Sequence, residues 1–165
     1  MTPTIRPYRA EDRAALLRAI DALQDHEEAV HPGSRRTGTA IAAVYLDHLL
    51  RRTAEAMGAV FVAEAGGSVV GFIACRVKDS RSLVETEAYT RYGYVSDLEV
   101  DPAWRGQGVA ARLLAAAERH LAATGAVTRM RLTVLAANAP ARRAYEKYGF
   151  RPYDIELDKP IAPTE

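Results

Sequence analysis

The sequence predicts a single layered α/β or α+β structure, a mixed sheet flanked by helices. Three observations point to it. Runs of β-branched and aromatic residues are interspersed with segments whose apolar residues recur at helical spacing, in the order β-α-α-β-β-β-α-β-α-β. At 165 residues the chain is long enough to bury about 70% of the surface its unfolded form would expose, so no staple or metal is needed. Hydrophobic residues at 48% and charged residues at 26% suit a globular protein, and no apolar run approaches a membrane span.

Each element has its own signal. Ile5 to Tyr8 is a short apolar start in which Pro7 is tolerable only on an edge strand. Glu11 and Asp12 open a helix with Leu16, Leu17, Ile20 and Leu23 on one stripe, and His31-Pro32-Gly33-Ser34 breaks it. A second helix runs from about Thr39 to Met57, its buried face made of Ile41, Tyr45, Leu46, Leu49 and Leu50, with Gly58 as its stop. Val60 to Glu64 and Val69 to Lys78 form a hairpin around Ala65-Gly66-Gly67-Ser68.

Residues 79–92 have no firm period and read either as a loop or as ragged strand extensions. Residues 94–100 form a strand that Asp101-Pro102 stops, and from Val109 a helix begins, with Val109, Leu113, Ala117 and Leu121 on its packed stripe and Gly125 at its end. Arg129 to Leu135 reads as strand and Ala139 to about Tyr148 as helix, capped by Gly149. Tyr153-Asp154-Ile155-Glu156-Leu157 alternates as a last strand, and the tail 160–165 is expected to fray. No repeat, low-complexity tract or linker divides residues 1–165, which read as one domain.

Composition excludes several function classes. A net charge of +1 argues against bulk nucleic-acid binding. The single cysteine, Cys75, cannot form an internal disulfide, and the N-terminus lacks a signal layout, so the expected location is the cytosol, with no membrane role. His26 and His31 lie near the break between the first two helices, but no histidine pair has metal-ligand spacing and no metal is expected. Charge is uneven along the chain. Asp79, Glu85, Glu87, Asp97, Glu99 and Asp101 against Arg81 and Arg91 leave residues 79–101 at −4, whereas Arg142, Arg143, Lys147 and Arg151 face only Glu146 across residues 138–151. The pattern fits two solvated surfaces, or an acidic pocket beside a basic wall.

The chemistry-bearing stretch lies between the strand at 94–100 and the helix at 109. Arg105-Gly106-Gln107-Gly108 places two glycines where the backbone can curl around a ligand, with the unpaired N–H groups and positive dipole end of the following helix aimed into the curl. Such a loop suits a phosphate. Gly-Lys-Ser/Thr is absent, which excludes Walker A. Gly106, Gly108 and Ala111 satisfy G-x-G-x-x-A, but the acid that holds a ribose about 20 residues on is missing from Ala126 to Met130 and from Val134 to Ala137, against a dinucleotide fold.

A second cluster, Asn138-x-x-Ala141-x-x-x-Tyr145-x-x-Tyr148-Gly149-Phe150, is by itself a capped helix with a buried aromatic. Together with Arg105-x-x-Gly108-x-Ala110 it resembles the GNAT superfamily of acetyl-CoA-dependent N-acetyltransferases, specifically over residues 94–151 and in element order over the whole chain. The resemblance implies a mostly antiparallel central sheet of about six to seven strands with about four helices. It implies that Arg105, Gly106, Gln107, Gly108, Val109 and Ala110 hold the pyrophosphate of acetyl-CoA, the co-substrate. Leu98, Glu99 and Val100 match the strand whose main chain pairs with the pantetheine arm, Asn138 the position that contacts that arm, and Tyr145 the position that protonates the leaving thiolate. Partners are then acetyl-CoA and an amine acceptor, and a homodimer through the C-terminal strands is left open.

A primary ammonium at pH 7 needs about 4.6 kcal/mol to reach its neutral form, from a pKa near 10.4 at about 1.36 kcal/mol per unit. Asp97 and Glu99, two apart on one strand face while Leu98 and Val100 face the core, are the candidate proton acceptors, with Asp97 favoured at mid-strand. Tyr145 assists the sulfur more as a hydrogen-bond donor than as a strong acid. Glu85, Glu87, Tyr89 and His31 are candidates for the acceptor pocket, or else outer-face residues. Cys75 reads as a small core residue and Trp104 as packing against the loop. The strand Tyr94 to Val100 is similar to that of GNAT enzymes that acetylate small polyamines or aminoglycosides, a resemblance that implies a small cationic amine and fits the −4 segment. Protein N-termini and lysines stay open, as does a non-catalytic acyl-CoA-binding module.

Overall fold

Five strands form one sheet in sequence order, and the structure, a computed structural model, describes residues 2–161. The strands are β1 (Thr4–Pro7), β2 (Ala59–Ala65), β3 (Ser68–Asp79), β4 (Arg91–Val100) and β5 (Met130–Leu132). The first four pair antiparallel, and β5 joins β4 in parallel. The helices are α1 (Arg13–Val30), α2 (Thr39–Glu55), α3 (Glu87–Thr90), α4 (Val109–Ala123) and α5 (Ala139–Tyr148), with 3-10 turns at Ala10–Asp12 and Pro102–Trp104. Among the described residues no helix is long and apolar enough to cross a membrane.

Alternation along the strands feeds two apolar layers. On one face Ala63, Ile73, Cys75 and Val95 pack under Val109, Leu113, Ala117 and Leu121 of α4. On the other, Val62, Phe72 and Ala74 pack under Leu16 and Ile20 of α1 and Leu46 and Leu49 of α2. Phe72, Leu16, Ile20, Leu46 and Leu113 are fully buried, each contributing about 1.5–3 kcal/mol. At the β2–β3 turn Gly66 and Gly67 both have positive φ, +56° and +77°, as a type I′ hairpin demands.

One irregularity organises β4. Ala74 pairs with Asp97 but Cys75 pairs with Val95, so Ser96 is an extra residue in β4. Without this bulge Val95 and Asp97 would share a face. With it, Val95 enters the α4 core while Asp97 and Glu99 lie on the α1/α2 face. Tyr92 and Tyr94 stay on that same face, opposite Lys78 and Arg76. The parallel ladder to β5 stops at Val95↔Leu132, one residue before the bulge.

Several expectations are corrected. Among the described residues the sheet has five strands rather than six to seven, and there are five helices rather than four. Residues 79–92 contain both alternatives, strand at Asp79 and from Arg91 and a loop over 80–86, and add the single turn α3. Arg129 to Leu135 contributes only Met130–Leu132 as strand, because β4 bends away at Ser96. Tyr153 to Leu157 is not a strand. The Asp154 carboxylate takes the Ile155 N–H at 2.9 Å, a donor that a ladder would need. Pro152 and Pro160 bracket the segment without donors of their own. Its apolar side chains stay outside, with Ile155 75% and Leu157 89% exposed. Of the tail 160–165, Pro160 and Ile161 are exposed and 162–165 lie outside the described residues.

Candidate functional site

The main-chain edge of β4 that faces β5 is paired only at Gly93, Tyr94 and Val95. From the bulge onward Asp97, Leu98, Glu99 and Val100 keep pairing with β3 but have no partner strand on the other side among the described residues. This open edge leads through the 3-10 turn to the glycine loop.

The loop is built to present N–H groups. Asp101 caps the turn by accepting from Ala103 N at 2.8 Å, and Pro102 begins it. Arg105 Nε donates to the Val100 carbonyl at 2.8 Å, and Gln107 Nε2 to the Ala103 carbonyl at 2.9 Å, so both side chains hold the loop to the strand end. Gly106 and Gly108 sit at φ +75° and +78° with open space where a Cβ would stand. The first main-chain bond of α4 runs from Arg112 N to the Gly108 carbonyl at 3.2 Å. The N–H groups of Val109, Ala110 and Ala111 therefore point out of the helix without main-chain acceptors among the described residues. The residues present fit an anion.

On the α1/α2 face the two strand acids are buried, each 7% exposed. Their surroundings differ. The Tyr45 hydroxyl of α2 donates to Asp97 Oδ1 at 2.8 Å, while Oδ2 is buried with no partner. Burial pushes the Asp97 carboxyl above the usual carboxylate range, opposed by the neighbouring Ser96 hydroxyl and by the Tyr45 hydroxyl. Glu99 is also pushed up by burial, but Arg105 Nη2 lies 3.4 Å from its Oε1 and favours the charged form. Glu99 is thereby tied to the glycine loop, whereas Asp97 keeps a free oxygen.

Tyr145 of α5 packs edge-on against Phe150, ring centroids 6.0 Å apart. Burial, with the negative charges of Glu27 and Asp97 adding to it, pushes its phenol up to about 12. It is a donor that stays protonated. Asn138 caps α5, Oδ1 accepting from Ala141 N at 3.2 Å, which occupies its oxygen and leaves the amide donors. Leu98 and Trp104 pack on the α4 core, as does Tyr145.

The remaining sequence candidates lie farther out. Glu85 and Glu87 are exposed, Glu85 accepting from the Tyr153 hydroxyl at 2.9 Å. Tyr89 is half-buried beneath the Arg129 guanidinium, 4.0 Å from its ring centroid. His31 is exposed just past the end of α1. Cys75 is fully buried, its thiol pushed up to about 11 by burial, in keeping with a core role.

Three residues next to Asp97 escaped sequence reading. Tyr45 reads as one more apolar residue on the α2 stripe, and only tertiary packing brings its hydroxyl to Asp97. Glu27 reads as a solvated helical acid. Arg76 sits between Cys75 and Val77 in what looks like an unbroken core strand, and a cation there was the one available signal. The −4 count over residues 79–101 also misses that Arg76 and Lys78 of β3, Arg131 of β5 and Arg129 just before it stand over the tyrosines of the same segment.

Comparison with known proteins agrees with this arrangement. The sequence model of the acetyltransferase (GNAT) family matches residues 20–150. An N-alpha-acetyltransferase of Sulfurisphaera tokodaii is 31% identical over 108 residues, 65% of this chain. The match spans 62% of that relative's length. A variant of the BH1408 protein of Bacillus halodurans has a similar fold, with a TM-score of 0.82 and 17% identity over 96% of this chain and 99% of its own. A predicted acetyltransferase of Clostridium acetobutylicum, solved with acetyl-CoA, gives a TM-score of 0.68 and 20% identity, covering 96% of each chain. With residues 20–150 inside the family's sequence model, this chain belongs to the acetyltransferase (GNAT) family.

Proposed function

We propose that the chain transfers an acetyl group from acetyl-CoA to a primary amine by direct attack within a ternary complex. The observation that carries this reading is the continuous path from a buried acid with a free oxygen, Asp97, along the unpaired edge of β4 to the glycine cradle at the head of α4. The likeness to an acetyltransferase solved with acetyl-CoA supports the choice of donor.

Acetyl-CoA supplies an activated thioester. Gly106 to Ala110 hold its diphosphate through main-chain N–H groups, with Arg105 and Gln107 bracing the loop. Leu98, Glu99 and Val100 line the open edge for the pantetheine arm, the Val100 carbonyl already accepting from Arg105 Nε. The amide donors of Asn138 face the same arm. Asp97 takes the proton that the ammonium must lose, directly or through a water, at Oδ2. Its raised pKa suits this, since a base closer to neutrality captures a proton more readily than an ordinary carboxylate. Tyr145 donates a hydrogen bond to the departing sulfur and keeps its own proton. Glu99, held by Arg105, serves the loop. No side chain acts as a covalent nucleophile.

The acceptor nitrogen sits against Asp97. The relative named as an N-alpha-acetyltransferase favours, as a second reading, the α-amine of a peptide or protein over a free small amine. A non-catalytic acyl-CoA-binding module is disfavoured by the unpartnered Asp97 oxygen and the protonated Tyr145 beside it. Free-thiol release from acetyl-CoA across an amine panel tests the proposal. Intersecting double-reciprocal plots are the expected result. Ping-pong kinetics, or CoA binding with no amine-dependent release, would refute it.

A further inference from the structure

Beside Asp97, the α1/α2 face of the sheet carries a row of cations that no carboxylate answers. Arg76 on β3 is only 9% exposed, its guanidinium 5.1 Å from the Tyr94 ring centroid. Lys78 Nζ lies 4.8 Å from the same ring. Arg131 on β5 is sandwiched between Tyr92 at 4.2 Å and Tyr153 at 4.0 Å, and its Nη2 is buried without a hydrogen-bond partner. Among the described residues none of the three lies within 4.0 Å of an acid. Contact with aromatic faces recovers only part of what burying a guanidinium costs.

Of the nearby carboxylates, Glu27 is engaged by Arg35 at 2.6 Å and Glu85 by Tyr153, while Asp97, bonded to Tyr45 through Oδ1, lies toward the row without forming an ion pair with it. The donor's phosphates do not answer the row either. The glycine loop lies beyond Val100, and Tyr94 to Val100 alone spans about 20 Å of strand. The register sets Arg76 and Arg131 on the two sides of Tyr94, and Ala74, which faces Asp97, two residues before Arg76. The cationic row therefore begins about 7 Å along the strand from the acid, with the partly exposed Tyr94 level with Arg76 and the partly exposed Lys78 one same-face pair farther on.

A polycation placed with one ammonium at Asp97 would push its other charges against this row. A molecule that carries both signs matches it. Resting on the acetyl-transfer reading, we infer that the acceptor is an amine bearing a carboxylate a few bonds from the nitrogen, an amino acid or the N-terminus of an acidic peptide. Its nitrogen meets Asp97 and its carboxylate meets Arg76, Lys78 and Arg131.

The test measures kcat/KM by thiol release for glutamate and aspartate, for C-terminally amidated tripeptides beginning with either, for the fully amidated counterparts glutaminamide and asparaginamide and the amidated tripeptides beginning with Gln or Asn, and for spermidine and kanamycin. Carboxylate-bearing acceptors should exceed their carboxamides at least tenfold, with the polycations lowest. The free and peptide arms tell which source the site prefers. Arg76→Met and Arg131→Met should each lower the carboxylate-to-carboxamide ratio at least fivefold. Lys78→Met, at a partly exposed position, carries the same test if the buried variants fail to fold. A preference for polycations, or a ratio unmoved in folded variants, overturns the inference and leaves acetyl transfer standing. Thiol release with no amine overturns both.

Discussion

Replacing Tyr45 with phenylalanine probes the proposed base without touching it. The hydroxyl supplies the 2.8 Å bond to Asp97 Oδ1, and the other oxygen has no protein partner. A hydrogen bond to a charged group contributes about 1.5–3 kcal/mol. The bond favours ionised Asp97, so its loss raises the carboxyl further. At about 1.36 kcal/mol per unit, the acid limb of kcat/KM should move up by about one to two pH units. The plateau above that limb should change less than threefold, because Asp97 still ionises there. The sign for stability follows the same charge. A carboxyl with a raised folded pKa weakens the fold when ionised, so Tyr45→Phe should cost about 1–3 kcal/mol at pH 8 and progressively less as pH falls and Asp97 protonates. The assay is a pH profile of kcat/KM from pH 5 to 9 at saturating acetyl-CoA, with one amine for both proteins, so that the ionisation of the amine is common to both. An acid limb that stays in place in a folded Tyr45→Phe protein would remove Asp97 as the titrating base.

Three other variants separate chemistry, binding and stability. Tyr145→Phe should lower turnover at least tenfold and leave CoA affinity by calorimetry nearly intact, and an unchanged turnover would remove Tyr145 from the mechanism. Gly108→Ala forces a side chain into φ +78° and puts a methyl into the open cradle. It should weaken CoA binding at least tenfold, for about 1–2 kcal/mol of stability, read by calorimetry and denaturation. Asp12 accepts from Arg6 Nη1 and Nη2 at 2.7 and 2.8 Å, and this partner holds its carboxyl below the usual range. That stabilisation is complete above the ordinary aspartate pKa and is lost as pH falls through the folded one. Asp12→Asn should therefore cost about 2 kcal/mol at pH 7, and the gap from wild type should narrow toward pH 3.

Helices α1, α2, α4 and α5 and the first four strands were legible because their signals are local. The stripe Val109, Leu113, Ala117, Leu121 and the Gly66-Gly67 turn each determine their own geometry. The last strand failed for the opposite reason. Tyr153, Ile155 and Leu157 alternate as a strand should, but alternation only marks one apolar face and cannot supply an edge to pair with. The edge is missing because the bulge at Ser96 turns β4 away and shortens β5, and nothing in the composition around Ser96 announces a bulge.

The same bulge explains which parts of the site could be read. The glycine loop is contiguous, so spacing alone exposes it, and Asp97 stands out as an acid in a strand. Its neighbours come from four other elements, and each has a sufficient local explanation: Tyr45 as helix core, Glu27 as a solvated acid, Arg76 and Arg131 as strand charges. Counting charge along residues 79–101 gave −4, but a sheet face is assembled across strands, and β3 and β5 add cations to the very surface that β4 makes acidic. A carboxylate with one free oxygen beside guanidiniums without partners is a pair of opposite, incomplete sites. Each is costly in the folded chain alone, and a single ligand carrying both charges would complete the two together.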